Sequence, residues 1–114
     1  MGEIMGQRII EESVPGKQIT LAHVIASPVP DIYQSLGIEA TGAIGILTVS
    51  PFETALIAAD TAAKSADVMI GFLDRFTGSV VITGDVQSVE VALAEVLRAF
   101  KETLHFEVVP VTRT

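Results

Sequence analysis

The chain has 114 residues, 49% of them hydrophobic, and its 7 basic and 14 acidic side chains leave a net charge of −7 with no cysteine. One domain fits that length; the acidic balance and the lack of any Lys/Arg cluster argue against a general nucleic-acid binder, and disulfides, thiolate nucleophiles and zinc–thiolate sites are excluded. No apolar run approaches the ~20 residues of a membrane helix, so a mean hydropathy of +0.54 predicts burial against further copies of the chain.

The first seven residues carry no basic or apolar targeting region and read as a flexible lead, with a cytosolic location expected. Arg8, Ile9, Ile10, Glu11, Glu12, Ser13 and Val14 form a short run that Pro15-Gly16 isolates as a separate strand. A buried strand over Gln18–Ala26 is stopped by Pro28 and Pro30, and a short helix over Asp31–Leu36 ends at Gly37. After an apolar strand, Ala43–Val49, the sequence Ser50-Pro51-Phe52-Glu53 predicts a capping box that starts the next helix. Phe52, Ala55, Leu56, Ala59, Ala62, Ala63 and Ala66 are its predicted inner face, and Glu53, Ile57, Asp60 and Lys64 its outer stripe.

Strand Val68–Leu73, a hairpin over Asp74–Gly78 and strand Ser79–Thr83 follow. Asp85 is the expected N-cap of a long helix burying Val86, Val89, Ala92, Leu93, Val96, Leu97 and Phe100, and a last strand is predicted over His105–Val111. From Ala43 onward the order is strand, helix, strand, hairpin, strand, helix, strand. That is the split βαβ pattern of a ferredoxin-like α+β sandwich, with an extra strand and short helix in front.

Little in this pattern carries chemistry. Asp74 and Arg75 are an adjacent acid and base, but neighbours on a strand point to opposite faces and do not converge on one atom. His23 and His105 lack ligand-spaced partners, no G-x-S-x-G is present, and the glycines match neither phosphate-binding pattern. Aromatics at 5% are too sparse for a base-stacking platform. No cofactor, metal site or enzymatic activity is expected, and no membrane or nucleic-acid partner.

The stretch AIGILTVSPFETALIAADTAAKSADVMIGFLDRFTGSVVITGDVQSVEVAL resembles the core domain of bacterial microcompartment shell proteins. RIIEESVPGKQITLAHVIASP stands before that core, as in the circularly permuted PduU/EutS type, in which the AHVIASP strand precedes the core rather than following it. GFLDRFTG and the final VTRT lean toward the PduU side.

That resemblance implies a homohexameric tile that meets other shell proteins laterally and encloses a pathway such as propanediol, ethanolamine or choline breakdown; a cargo-enzyme targeting helix is a possible further partner. It also implies that residues 1–16 are an extension whose strand joins a six-stranded β-barrel capping the central pore, with residues 17–114 as the permuted shell domain. Asp74, Arg75, Phe76, Thr77 and Gly78 fall near the pore or at a subunit seam. Lys64 matches a hexamer-edge lysine, with Asp60 and Ile57 beside it. The hairpin is shorter than the glycine-rich pore loop of unpermuted relatives, which argues against an open pore there. The alternative, from the split βαβ order alone, is an oligomeric regulatory domain binding a small metabolite between subunits.

Overall fold

The computed structural model describes residues 16–39 and 42–114. Its elements are β1 (Gln18–Ile25), α1 (Pro30–Leu36), β2 (Ala43–Ser50), a 3₁₀ turn (Phe52–Thr54), α2 (Ala55–Ser65), β3 (Met69–Asp74), β4 (Ser79–Gly84), α3 (Val86–Glu102) and β5 (Thr112–Arg113). Among the described residues they make one five-stranded sheet in the order β3-β4-β2-β1-β5.

Strand β4 is antiparallel to both β2 and β3, so β2 and β3 run the same way with β4 between them and α2 as their crossover. This is the split βαβ unit that the periodicity predicts. On the far side of β2 lies β1, antiparallel from Gln18 opposite Ser50 to Ile25 opposite Ile44. In a βαββαβ chain that place belongs to the strand after the second helix; here it is filled from the front of the chain, as a circular permutation requires.

Alternation sorts the two sheet faces. Ala43, Leu47 and Val49 of β2 and Val80 and Ile82 of β4 point under the helices. There they meet Val89, Ala92, Leu93, Val96, Leu97 and Phe100 of α3, all buried and all on the stripe expected from the sequence. Each large aliphatic side chain so buried contributes roughly 1.5–3 kcal/mol. Among the described residues the other face is covered at one end only, where Tyr33 of α1 packs with Ile44 and Val81 and donates its hydroxyl hydrogen to the Gly42 carbonyl. Leu21 and Phe72 on that face remain exposed.

Local signals hold at several ends. Gly37 closes α1 at φ 71°, and the Asp85 carboxylate accepts from the Ser88 N–H at 2.9 Å to cap α3. Three expectations need correction. Ser50 is not an N-cap: it stays in the β ladder opposite Gln18, and a 3₁₀ turn intervenes before α2 without any side-chain cap. The inner face of α2 is Ala55, Ala58, Ala59 and Ala62, while Phe52, Leu56 and Ala63 face outward. Only alanines fit where α2 lies close against α3 and the sheet; Leu56 would hold it off.

The third correction concerns the chain end. His105 takes a left-handed φ of 62°, which turns Phe106 back onto Phe100, their rings edge-to-face at 4.8 Å. The predicted strand over His105–Val111 reduces to a single bridge, Glu107 with Gln18, before the two-residue β5 pairs parallel with His23 and Val24. His23 anchors this tail, its Nδ1 2.6 Å from the Thr112 hydroxyl and its Nε2 2.9 Å from that of Thr114. His23 is therefore a strand histidine with satisfied hydrogen bonds, as its setting predicts. His105 lies on no strand.

Candidate functional site

Two surface features gather the residues singled out from the sequence. The first is the β3–β4 hairpin. Asp74 ends β3, and its carbonyl accepts from the Gly78 N–H at 2.9 Å, closing the turn. The Asp74 carboxylate turns inward along the loop to accept from the Phe76 N–H at 2.9 Å. That N–H, followed by the Thr77 hydroxyl, holds the Asp74 carboxyl below its ordinary value. Arg75 goes elsewhere: its guanidinium stacks 5.0 Å from the Phe76 ring centroid. Among the described residues Arg75 makes no ion pair; acid and base do not converge, though Arg75 lies in the turn and not on the strand beside Asp74.

Phe76 stands 72% exposed at the tip. It borders an open cavity of about 290 Å³ lined by Leu56, Leu73, Asp74, Arg75 and Phe76. Gly78 is buried against β2, its carbonyl accepting from the Val49 N–H at 2.9 Å. Leu56 is the residue that sequence reasoning misplaces, on an inner face. The signal was the i,i+4 pair Phe52–Leu56, which shares a helix side with the hairpin rather than with the core.

The second feature is the outer stripe of α2. Lys64 Nζ lies 2.8 Å from Asp60 Oδ2, with 75% and 60% of the two side chains exposed. Ile57 is a large apolar residue exposed on the same stripe. Leu56 at the hairpin and Lys64 are eight residues apart, about 12 Å along the helix. Thus α2 is a spacer with the hairpin at one end and the Asp60–Lys64 pair at the other.

The predicted strand Arg8–Val14 lies outside the described residues, but its point of departure does not. Gly16 turns the chain at φ 89°, next to the end of β1 where Gln18 faces Ser50. Ser50 adjoins Val49, which binds Gly78. The amino-terminal segment therefore leaves from the end of the sheet that carries the hairpin tip.

No three His, Asp or Glu side chains among the described residues group so as to hold a metal ion, and no described helix is long and apolar enough to cross a membrane. Beside the tip cavity and the stripe, the outer edge of β3 is a third exposed surface among the described residues. There Met69, Ile70 and Phe72 are exposed, and Met69 and Ile70 line a second cavity of about 170 Å³ together with Ile38.

The BMC domain family matches residues 43–112, leaving β1 ahead of the matched region as permutation demands. Over 107 residues the chain is 57% identical to the bacterial microcompartment shell protein CutR of Streptococcus intermedius, covering 94% of this chain and 92% of that one. Over 108 residues it is 56% identical to the shell protein PduU of Salmonella typhimurium, covering 94% and 93%. A solved structure of CutR as a flat hexamer superposes with a TM-score of 0.86 at 56% identity, over 95% of this chain and all of the other. With a split βαβ sheet completed from the front and relatives matched along almost their whole length, the chain belongs to the BMC-domain family of bacterial microcompartment shell proteins.

Proposed function

We propose that the protein is a wall component: six copies close into a ring, rings join edge to edge, and the sheet they form encloses a metabolic pathway in the bacterial cytoplasm. The observation that carries this reading is the near-complete superposition on a chain solved as a flat hexamer. Composition supports it independently. Leu56, Ile57, Met69, Phe72 and Phe76 are all exposed in the single chain, and heterologous ring closure covers such patches without leaving a free edge. The protein's task is to bound a space and to catalyse nothing.

Within the ring the hairpin tip, Asp74–Gly78, faces the six-fold axis or a seam beside it, and Lys64 with Asp60 and Ile57 faces the neighbouring tile. The spacer role of α2 supports this division, because an axial site and an edge site belong at opposite ends of a radial element. Residues 8–14 of six copies gather over the pore as a small β-barrel. In support, their departure point adjoins the hairpin tip; a lone seven-residue strand also needs partners, and six copies in a closed barrel leave no edge unpaired. Other shell proteins are the lateral partners, and a targeting helix from a cargo enzyme is a fitting ligand for the barrel.

Light scattering coupled to size exclusion tests the ring. The expected mass is six times the 12.0 kDa of the chain; a stable monomer at micromolar concentration would overturn the reading.

A further inference from the structure

We propose that the outer edge of β3 is the flank on which the next copy of the chain closes in the ring, with the hollow beside Met69 and Ile70 taking one of that copy's side chains. This deepens the tile reading and rests on it for the ring and its axis.

The two edges of the sheet differ. Along β1 the chain's own end lies down as a guard: the Ile19 N–H donates to the Glu107 carbonyl at 2.8 Å, the Ala26 N–H to that of Thr114 at 2.9 Å, and β5 pairs between them. Along β3 no described segment does this, since the strand pairs only with β4. Natural sheets blunt an open edge with lysine, proline or inward-pointing charge, yet Met69-Ile70-Gly71-Phe72-Leu73 contains none of these. Met69 is 66% exposed, and Ile70 and Phe72 are exposed with it.

The course of the strand identifies the partner as a second copy. Strand β3 starts just after the Lys64 end of α2 and runs six residues, about 20 Å, to the hairpin tip, so in the tile it spans the subunit from rim to axis. The two broad faces of a tile meet water, and only the flanks between subunits are dry. An uncharged edge with three large apolar side chains open to solvent belongs on a flank, and heterologous closure sets it against a different surface of the next subunit.

The hollow is an independent sign of a protein partner. At about 170 Å³ it has room for one benzene-sized group, and its wall is apolar apart from Thr83 and Glu39. Thr83 is only 4% exposed, and among the described residues its hydroxyl has no hydrogen-bond partner. A hydroxyl withdrawn from water is disfavoured until it is paired. A segment of another chain supplies what both parts of the hollow lack, an apolar side chain for the wall and a carbonyl for the hydroxyl.

The chain has no cysteine, so Met69→Cys places a single thiol on the strand, and Lys101→Cys places one on the exposed side of α3 as a reference. Maleimide labelling is followed on isolated rings, below the concentration at which sheets form, and each rate is taken relative to the same protein in urea. The thiol of Met69→Cys should react at least about tenfold more slowly than that of Lys101→Cys. Met69→Asp, whose side chain meets water in the single chain, should keep its circular dichroism and weaken ring assembly at least about tenfold. Rings in which both thiols react alike overturn the flank and leave the ring standing, as do wild-type rings from Met69→Asp. Protection seen only in sheets moves the strand to the tile edge and overturns the proposal. Protection lost on removing residues 1–14 from a chain that still forms rings assigns the cover to that segment, with the same result. A wild type that forms no ring sinks the tile reading itself.

Discussion

Val49 and Gly78 hold each other from opposite sides of one turn. The Val49 N–H donates to the Gly78 carbonyl at 2.9 Å, while a β-carbon placed on Gly78 would run into the Val49 carbonyl oxygen. Gly78 also sits at φ 78°, a conformation that costs an L-residue roughly 1–2 kcal/mol. Gly78→Ala therefore combines backbone strain with overlap against a backbone atom, and should destabilise the fold by about 2–4 kcal/mol. Thermal melting at fixed protein concentration checks this; an unchanged midpoint would show that the hairpin relaxes freely.

Lys64→Ala is expected to separate two effects. The Asp60–Lys64 pair is exposed at both ends and is worth only about 0.3 kcal/mol to the helix, so the ring should melt as the wild type does. Edge-to-edge assembly should fall markedly, read as sheets or tubes by electron microscopy at matched concentration. Wild-type sheets from the variant would remove Lys64 from the tile edge.

A chain lacking residues 1–14 should still form six-membered rings, because β1, which those residues precede, keeps its full pairing with β2. Native mass spectrometry of the truncated protein decides the point. Failure to assemble would make the leading segment a fastener of the ring and not a cover over it.

His23→Ala should loosen the chain end while leaving the rest of the sheet in place. The imidazole holds both Thr112 and Thr114, and the Thr114 N–H otherwise depends on one bond, to the Val24 carbonyl at 2.9 Å. Amide exchange at Thr114 should rise about tenfold or more, with amides of β4 unaffected. Equal exchange in both proteins would mean that backbone pairing alone fixes the tail.

Acid should loosen two turns only below the ordinary carboxylate range. The Ser88 N–H and hydroxyl lower the Asp85 carboxyl, and the Phe76 N–H with the Thr77 hydroxyl lowers that of Asp74. A carboxyl depressed in the folded state contributes stability that is complete above its unfolded value, about 3.9, and is lost as pH falls through its folded value. Carboxyl resonances followed by NMR should therefore titrate below about 3.9 for both residues, and the Ser88 and Phe76 amide shifts should move with them. Midpoints above that value would reverse the sign.

Where the sequence offers one strong local choice, it can be read directly. Asp85 before an unbroken 3.6-residue stripe announces α3 and its buried face, and the glycines at positions 37 and 78 announce a helix end and a turn. The phase of α2 was hidden because ALIAADTAAKSA places small apolar residues on almost every side. What selects Ala58 over Leu56 for the interior is the closeness of α3, a tertiary fact. Ser50-Pro51-Phe52-Glu53 has the composition of a capping box, yet cross-strand pairing to Gln18 keeps Ser50 in the sheet. His105–Val111 has strand composition, but β1 exposes only one edge, and Phe106 goes to the core first. Leu56 and Phe76 are large apolar residues left exposed in the single chain, and a pattern of core and surface positions within one chain gives no place for them.

The tail along β1 also dictates where the protein tolerates additions. Thr114 meets Val24 and Ala26 at the end of β1 away from Gly16, and an eight-residue strand, about 27 Å, separates the two. A fluorescent protein or affinity handle joined behind Thr114 emerges on the α1 side, clear of the hairpin and of whatever gathers above it. In the proposed ring, with residues 8–14 gathered on the axis, the same handle ahead of Arg8 would crowd six bulky passengers together, and labelling from the carboxyl side avoids that.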